Sequence, residues 1–210
     1  MILLTSQAMK RPPKHDAGCV VLSAGRSGRM GAHKALLPFP SGGVYMSHII
    51  DSYTASGIRT LALVVAPTIP TDLYESIPGV RIIRNPDPDL GRAHSLRLGL
   101  AALPSVRYCF VQNIDNPFVD PELIGALYAA REQAPYVTPE HQGQGGHPVL
   151  IGRPLIELVL ADSGTDTPLN LLFSGSARHR VPTADPRVLA NINTPEEHSR
   201  HYMTGPDHAY

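Results

Sequence analysis

The sequence predicts a single three-layer α/β/α domain on a mostly parallel sheet, and three observations carry that expectation. Short β-rich runs alternate with helix-patterned segments. Gly25, Pro67, Pro86, Gly91, Pro104, Pro117 and Pro121 fall at the joints between them, where Gly and Pro punctuate best. The chain of 210 residues, 42% hydrophobic, is long enough for one real core and too short for a second full domain.

In order, the elements are CVVLSA (strand), VYMSHIIDSYTAS (helix), LALVVAP (strand), DLYESI (helix), VRIIRN (strand), AHSLRLGLAAL (helix), YCFVQNI (strand) and PELIGALYAAREQ (helix). No internal repeat or low-complexity run interrupts them. After Pro135 the pattern loosens into YVTPEHQGQGGHPVLIG, then helix-like PLIELVLADS and TPLNLLFSG, and a strand near HRVPT. This C-terminal third reads as an insertion over the sheet's edge that covers a site. The expected organisation is a loose tail over 1–16, the domain over 17–203 and a second tail over 204–210.

Composition excludes several function classes. Lys plus Arg number 18, as do Asp plus Glu, so no global field draws the chain to nucleic acid or an anionic membrane. Any anion must be met locally. Cys19 and Cys109 sit in apolar runs and read as buried small hydrophobes, which suits a reducing cytoplasm. The first sixteen residues place apolar before basic, the reverse of a secretory signal, and no apolar run reaches membrane-spanning length. The ten histidines show no H-E-x-x-H spacing, and the two cysteines are too far apart for a zinc clip.

Ligands in open α/β sheets bind outside the carboxyl ends of the strands, so the segments after the strands matter most. The first strand delivers LSAGRSGRMGAHKALLPF, with Gly25, Gly28 and Gly31 at three-residue spacing among Arg26, Arg29 and Lys34. Bare backbone N–H groups beside cations suit phosphate. The spacing matches neither G-x-x-x-x-G-K-[ST] nor G-x-G-x-x-G, and Asp51 lies mid-helix, so a dinucleotide site is disfavoured. A flexible basic turn remains the alternative for this loop taken alone.

YCFVQNI ends at Asp115-Asn116-Pro117. A carboxylate held there by a proline suits Mg²⁺, which takes one or two protein carboxylates plus phosphate oxygens. Alone, the same triplet reads better as an Asp turn starter. In NPDPDLGRAHSLRLGL, Gly91 sets up a helix start and Ser95 could bond a phosphate or base edge; the alternative is an ordinary amphipathic helix. NINTPEE offers Asn191 and Asn193 as oxygen ligands or turn formers before a helix capped by Thr194 with Pro195 first. QGQGGHP sets Gly146 and His147 before Pro148, with no Cys or Ser paired to the histidine.

Together these stretches resemble the MobA-like nucleotidyltransferases, and among them the molybdenum cofactor cytidylyltransferases. The opening signature L-x-A-G-x-S-x-R-M-G-x-x-K-x-L-L-P is unbroken from Leu22 to Pro38. NPDPDLGRAHSLRLGL, the D-x-P at Asp115, the GHPVLI strand and the closing NINTPEE follow in the family's order, so the resemblance runs from about residue 18 to residue 200. It implies a fold of the nucleotide-diphospho-sugar transferase (GT-A-like) type. It also implies Mg²⁺-dependent transfer of a nucleotidyl group from an NTP to a phosphorylated small-molecule acceptor, molybdopterin first, with release of pyrophosphate. A partner in molybdoenzyme maturation is implied as well.

Carried over by position, Leu22, Ala24, Gly25, Gly28, Gly31 and Ser95 would meet the nucleotide. Arg29 and Lys34 would neutralise its phosphates, Asp115 would act in catalysis and hold the metal with Asn193 and Asn191, and His147 and Gly146 would face the acceptor. Three departures bear on substrate choice. Ile114 stands where the family usually has Gly, Asn193 where many members have Asp, and LADSGTDTPLN lacks the family's arginine after the GHP strand. Ala24, where the guanylyl-transferring branch usually has Gly, favours CTP over GTP. Transfer to a sugar phosphate, or a nucleotide-binding module without catalysis, are the alternatives.

Overall fold

Every residue of the first strand, β1 (Ala17–Ser23), is buried. Ala17, Cys19 and Val21 enter one hydrophobic cluster, whereas Val20 and Leu22 enter another. A strand alternates its side chains between two faces, so a strand apolar on both must lie inside a covered sheet. The computed structural model describes residues 16–25, 30, 32–103, 106–162 and 167–203; the two expected tails lie almost wholly outside them.

After β1 the elements follow as α1 (Tyr45–Ser56), β2 (Leu61–Val65), α2 (Asp72–Glu75), β3 (Val80–Arg84), α3 (Gly91–Ala102), β4 (Tyr108–Asn113) and α4 (Pro121–Ala129). Then come β5 (Tyr136–His141), β6 (Gln144–Gly145), β7 (Val149–Gly152), α5 (Arg153–Ala161), α6 (Leu169–Leu172), β8 (Arg178–Pro182) and α7 (Pro195–Met203). The strands make one sheet in the order β3-β2-β1-β4-β7-β5-β6, with β8 on β5. β3, β2, β1 and β4 run parallel, as crossover helices require.

Ile49 and Tyr53 of α1 and Ile124 and Leu127 of α4 pack on the Cys19–Val21 face. Leu96 and Leu100 of α3 and Leu155 and Val159 of α5 cover the other. Each such buried aliphatic side chain contributes about 1.5–3 kcal/mol relative to exposure, so the two clusters hold helix, sheet and helix as three layers. α3 lies close because Gly99 has no side chain: a β-carbon there would stand 2.4 Å from Val20 Cγ1. Cys19 and Cys109 face opposite clusters with free thiols, and burial pushes the Cys109 thiol up to about 12.

The C-terminal third corrects the sequence reading. It is no insertion over an edge; it extends the sheet. β7 pairs antiparallel with β4 from Tyr108↔Gly152 to Val111↔Val149, β5 pairs with β7, and β8 runs parallel to β5. Val137 and Leu150 thereby enter the core of the first cluster. These strands are short and interrupted by Gly and Pro, which weakens the period that would reveal them. Among the described residues no helix is long and apolar enough to cross a membrane.

Candidate active site

Three chain segments meet at the carboxyl ends of β1 and β4: the loop after β1, the Asp-Asn-Pro turn after β4, and the entry to α7. They enclose, with the start of α3, a cleft of roughly 290 Å³ lined by Leu22, Ala24, Gly25, Lys34, Ser95, Asp115 and Asn193 among others. Seven of the residues expected from the sequence are therefore gathered in one place. Arg29, Gly28 and Gly31 lie outside the described residues. A β-carbon on Gly25 would meet nothing within 4 Å, so its missing side chain leaves open cleft rather than relieving a packing clash.

Lys34 opens a short 3₁₀ turn, Lys34–Leu36, anchored by the fully buried Ala35. Its side chain is 12% exposed and its ammonium donates to Asn193 Oδ1 at 2.8 Å. The same nitrogen lies 3.8 Å from Asp115 Oδ2. The other carboxylate oxygen, Asp115 Oδ1, is buried and has no hydrogen-bond partner. An orphaned carboxylate oxygen is costly unless something meets it. A hard cation shared with phosphate oxygens suits this donor set, one carboxylate with an amide oxygen nearby.

The Asp115 and Asn193 segments are clamped together. Ile192 N–H donates to the Asp115 carbonyl at 2.8 Å, and Asn116 Nδ2 donates to Asn191 Oδ1 at 3.1 Å and to the Ala190 carbonyl. Asn191 is thus engaged in this clamp at the surface and does not line the cleft. Asn193 is held from behind by a capping box at α7: Glu197 accepts from the N–H groups of Asn193 and Thr194, and Thr194 Oγ1 accepts from the Glu197 N–H. Those backbone donors draw the Glu197 carboxyl below its usual range.

The N-terminus of α3 faces the cleft through Gly91, Arg92 and Ser95, placing the positive end of a 12-residue helix there. Gly91 adopts φ +82°, a conformation that favours glycine. Ser95 Oγ donates to the Gly91 carbonyl at 3.3 Å and accepts from Asn85 Nδ2 at 3.0 Å. Asn85, fully buried, also accepts from the Asp87 N–H, so it holds both the serine and the turn that leads into the helix.

His147 and Gly146 line a second cavity, roughly 500 Å³, that shares Arg92 and Asn113 with the first. His147 Nδ1 lies 3.4 Å from Asn113 Nδ2. Burial lowers its pKa, opposed by the Asp115 charge and helped by Arg92. Gly146 is dictated by packing, since a β-carbon there would stand 2.4 Å from the Val188 carbonyl oxygen. Sequence reasoning missed Arg92, Asn113 and Asn116, although each sits beside a residue it singled out. It also missed Tyr136, Thr138 and Arg178, whose only signal is strand alternation in β5 and β8, and Phe173 at the end of α6.

A MobA-like NTP transferase domain matches residues 19–179. The chain is 24% identical over 186 residues to the molybdenum cofactor cytidylyltransferase of Escherichia coli K12, covering 85% of this chain and 92% of that protein. It is 30% identical over 185 residues to a probable molybdenum cofactor guanylyltransferase of Mycobacterium avium, covering 83% and 89%. A nucleotidyl transferase from Methanothermobacter thermautotrophicus superposes with a TM-score of 0.73 at 23% identity, over 90% of this chain and 98% of that one. With the opening signature running through the cleft-lining Lys34 and the family model matching most of its length, this chain belongs to the MobA-like NTP transferase family and is a nucleotidyltransferase.

Proposed function

We propose that the chain transfers a nucleotidyl group from an NTP, CTP by preference, to a phosphorylated acceptor, molybdopterin first, and releases pyrophosphate. The observation that carries this reading is the convergence of Lys34, the orphaned Asp115 carboxylate oxygen and the α3 N-terminus on one cleft that shares Arg92 and Asn113 with a second cavity. Two adjoining compartments fit two substrates. The E. coli relative is a cytidylyltransferase and the M. avium relative a probable guanylyltransferase; Ala24 in the cleft favours the first.

An acceptor phosphate is ionised near neutral pH, so its oxygen can attack the α-phosphorus without a general base. The new P–O bond forms as the bond to the β-phosphate oxygen breaks, and pyrophosphate leaves with the electron pair. No proton need move. The chain's task is positioning and charge stabilisation. Lys34 neutralises the triphosphate, the α3 N-terminus and the backbone at Ala24 and Gly25 face its oxygens, and Ser95, held by Asn85, supports that helix end. Arg29, Gly28 and Gly31 are assigned to the same phosphates from the signature. Asp115, with Asn193, would hold Mg²⁺, which supplies Lewis-acid neutralisation of the phosphate charge. For the cation to take Asn193 Oδ1, the Lys34 ammonium must exchange that oxygen for a phosphate. Asn191 acts through the clamp rather than as a ligand, and His147 faces the acceptor.

The test is pyrophosphate release with CTP, GTP, ATP or UTP, Mg²⁺ and molybdopterin. Release with one nucleotide, dependent on both Mg²⁺ and acceptor, is expected. Release with glucose 1-phosphate instead would move the acceptor to the sugar phosphates, and no release with any pair would overturn the reading.

A further inference from the structure

The second cavity has an apolar floor of Val111, Val149 and Tyr136, from β4, β7 and β5, and a wall from Leu169 and Phe173 at α6. The Tyr136 and Phe173 rings lie 5.8 Å apart, tilted by 40°. Into this interior comes one polar group that the fold does not use. Thr138, next on the same face of β5, is 3% exposed, and its hydroxyl has no hydrogen-bond partner. Buried hydroxyls are nearly always paired, so an unpaired one lining a cavity points to a ligand.

A second donor meets it. Arg178 lies opposite Tyr136 across the β5–β8 ladder and carries its guanidinium back over that ring, 5.9 Å from the centroid. A β-carbon on Gly145 would stand 3.3 Å from Arg178 Nη1 and 3.5 Å from Thr138 Oγ1. Hydroxyl and guanidinium therefore converge beside a residue with no side chain to fill the space between them. Arg92 and Asn113 line both cavities, whereas Thr138 and Arg178 line only the second.

We propose that Thr138 and Arg178 form an acceptor-specificity pair that binds a carbonyl-type oxygen on a flat ring of the acceptor, with the acceptor's phosphate at the Arg92 junction. Two donors on one oxygen select a strong acceptor, and the aromatic and aliphatic floor selects a planar ring over a sugar ringed with hydroxyls. This rests on the acceptor reading above and deepens it.

The experiment uses the full chain as wild type, Thr138→Val, Thr138→Ser and Arg178→Gln, with molybdopterin as probe. Acceptor KM is expected to rise about tenfold or more in Thr138→Val and Arg178→Gln, as losing a donor to a buried polar ligand does. Thr138→Ser should stay within about threefold, and nucleotide KM within about twofold throughout. Because the hydroxyl is unpaired in the free protein, Thr138→Val should leave Tm unchanged or higher; a structural hydroxyl would lower it. Unchanged acceptor KM in both variants, with normal turnover, overturns the pair and leaves the transferase reading standing. If no nucleotide is turned over, yet equilibrium titration shows molybdopterin binding that both variants weaken, the transferase reading falls and the pair stands. Absence of molybdopterin binding to the wild type overturns the pair.

Discussion

The Lys34 ammonium donates to Asn193 Oδ1 at 2.8 Å, joining residues 159 positions apart, and the same nitrogen lies 3.8 Å from Asp115 Oδ2. One cation thus ties the first loop of the chain to the turn after β4 and the entry to α7. Lys34→Ala should lower pyrophosphate release by about a hundredfold to a thousandfold, the usual effect of losing one electrostatic stabiliser. Circular dichroism should show the fold retained. Release at the wild-type rate would remove Lys34 from the site.

Asp115→Asn tests the orphaned oxygen. A nucleotide at a hundred times its dissociation constant stabilises a protein by about 2.7 kcal/mol. Wild type should show such a gain in CTP or GTP that grows with Mg²⁺ or Mn²⁺, and the variant should lose the metal-dependent part. A variant that keeps it would place the cation elsewhere.

Asn116, 4% exposed, binds Ala190 and Asn191 and so aligns Asp115 with Asn193. Asn116→Ala takes the acceptor from the buried Asn113 Nδ2 and the donor from the half-buried Ala190 carbonyl, and should cost about 1–3 kcal/mol in urea unfolding. It should also raise the Mg²⁺ concentration needed for half-maximal turnover. A stability loss alone, with unchanged Mg²⁺ dependence, would confine Asn116 to the fold.

Gly99→Ala sets helix propensity against packing. Alanine is favoured in a helix by about 1 kcal/mol, but its β-carbon would stand 2.4 Å from Val20 Cγ1 and 2.9 Å from Val64 Cγ2, both on the rigid central sheet. Overpacking typically costs about 1–3 kcal/mol. A lower midpoint in urea is expected; a higher one would show that α3 can lift without loss.

His48 and His147 both have pKa values lowered, by burial first. The unfolded chain then binds more protons between the ordinary histidine value near 6.5 and the lowered folded values. Folding stability should be full above that upper limit and decline as pH falls through the window. His48 stacks on Phe39 at 3.6 Å and pairs with the Val119 carbonyl through Nε2. His48→Gln should flatten the decline, read as the slope of unfolding free energy from pH 7.5 to 5; an unchanged slope would assign it to other groups.

The cleft was more legible in sequence than the cavity beside it. Lys34, Asp115 and Ser95 each follow a strand or open a helix, where glycine and proline mark the chain, so their positions at the strand ends could be read directly. Asn85 opens the stretch NPDPDLGRAHSLRLGL, yet its use, holding Ser95 and the turn into α3, depends on burial that no local pattern encodes. Thr138 and Arg178 stand 40 positions apart on different strands, and nothing in either stretch marks a site.

The α/β alternation, the glycine-rich basic segment after β1, the carboxylate after β4 and the capped entry to α7 are legible in the sequence alone. Each is a local matter of hydrophobic period, turn chemistry or backbone donors within a few residues. That Lys34 meets Asn193, that Asn191 belongs to a clamp rather than the cleft, and that the C-terminal third widens the sheet around a second cavity emerge only in the folded chain. Those outcomes depend on which strand edges pair and which helix faces bury, and long-range pairing is settled by the whole core at once.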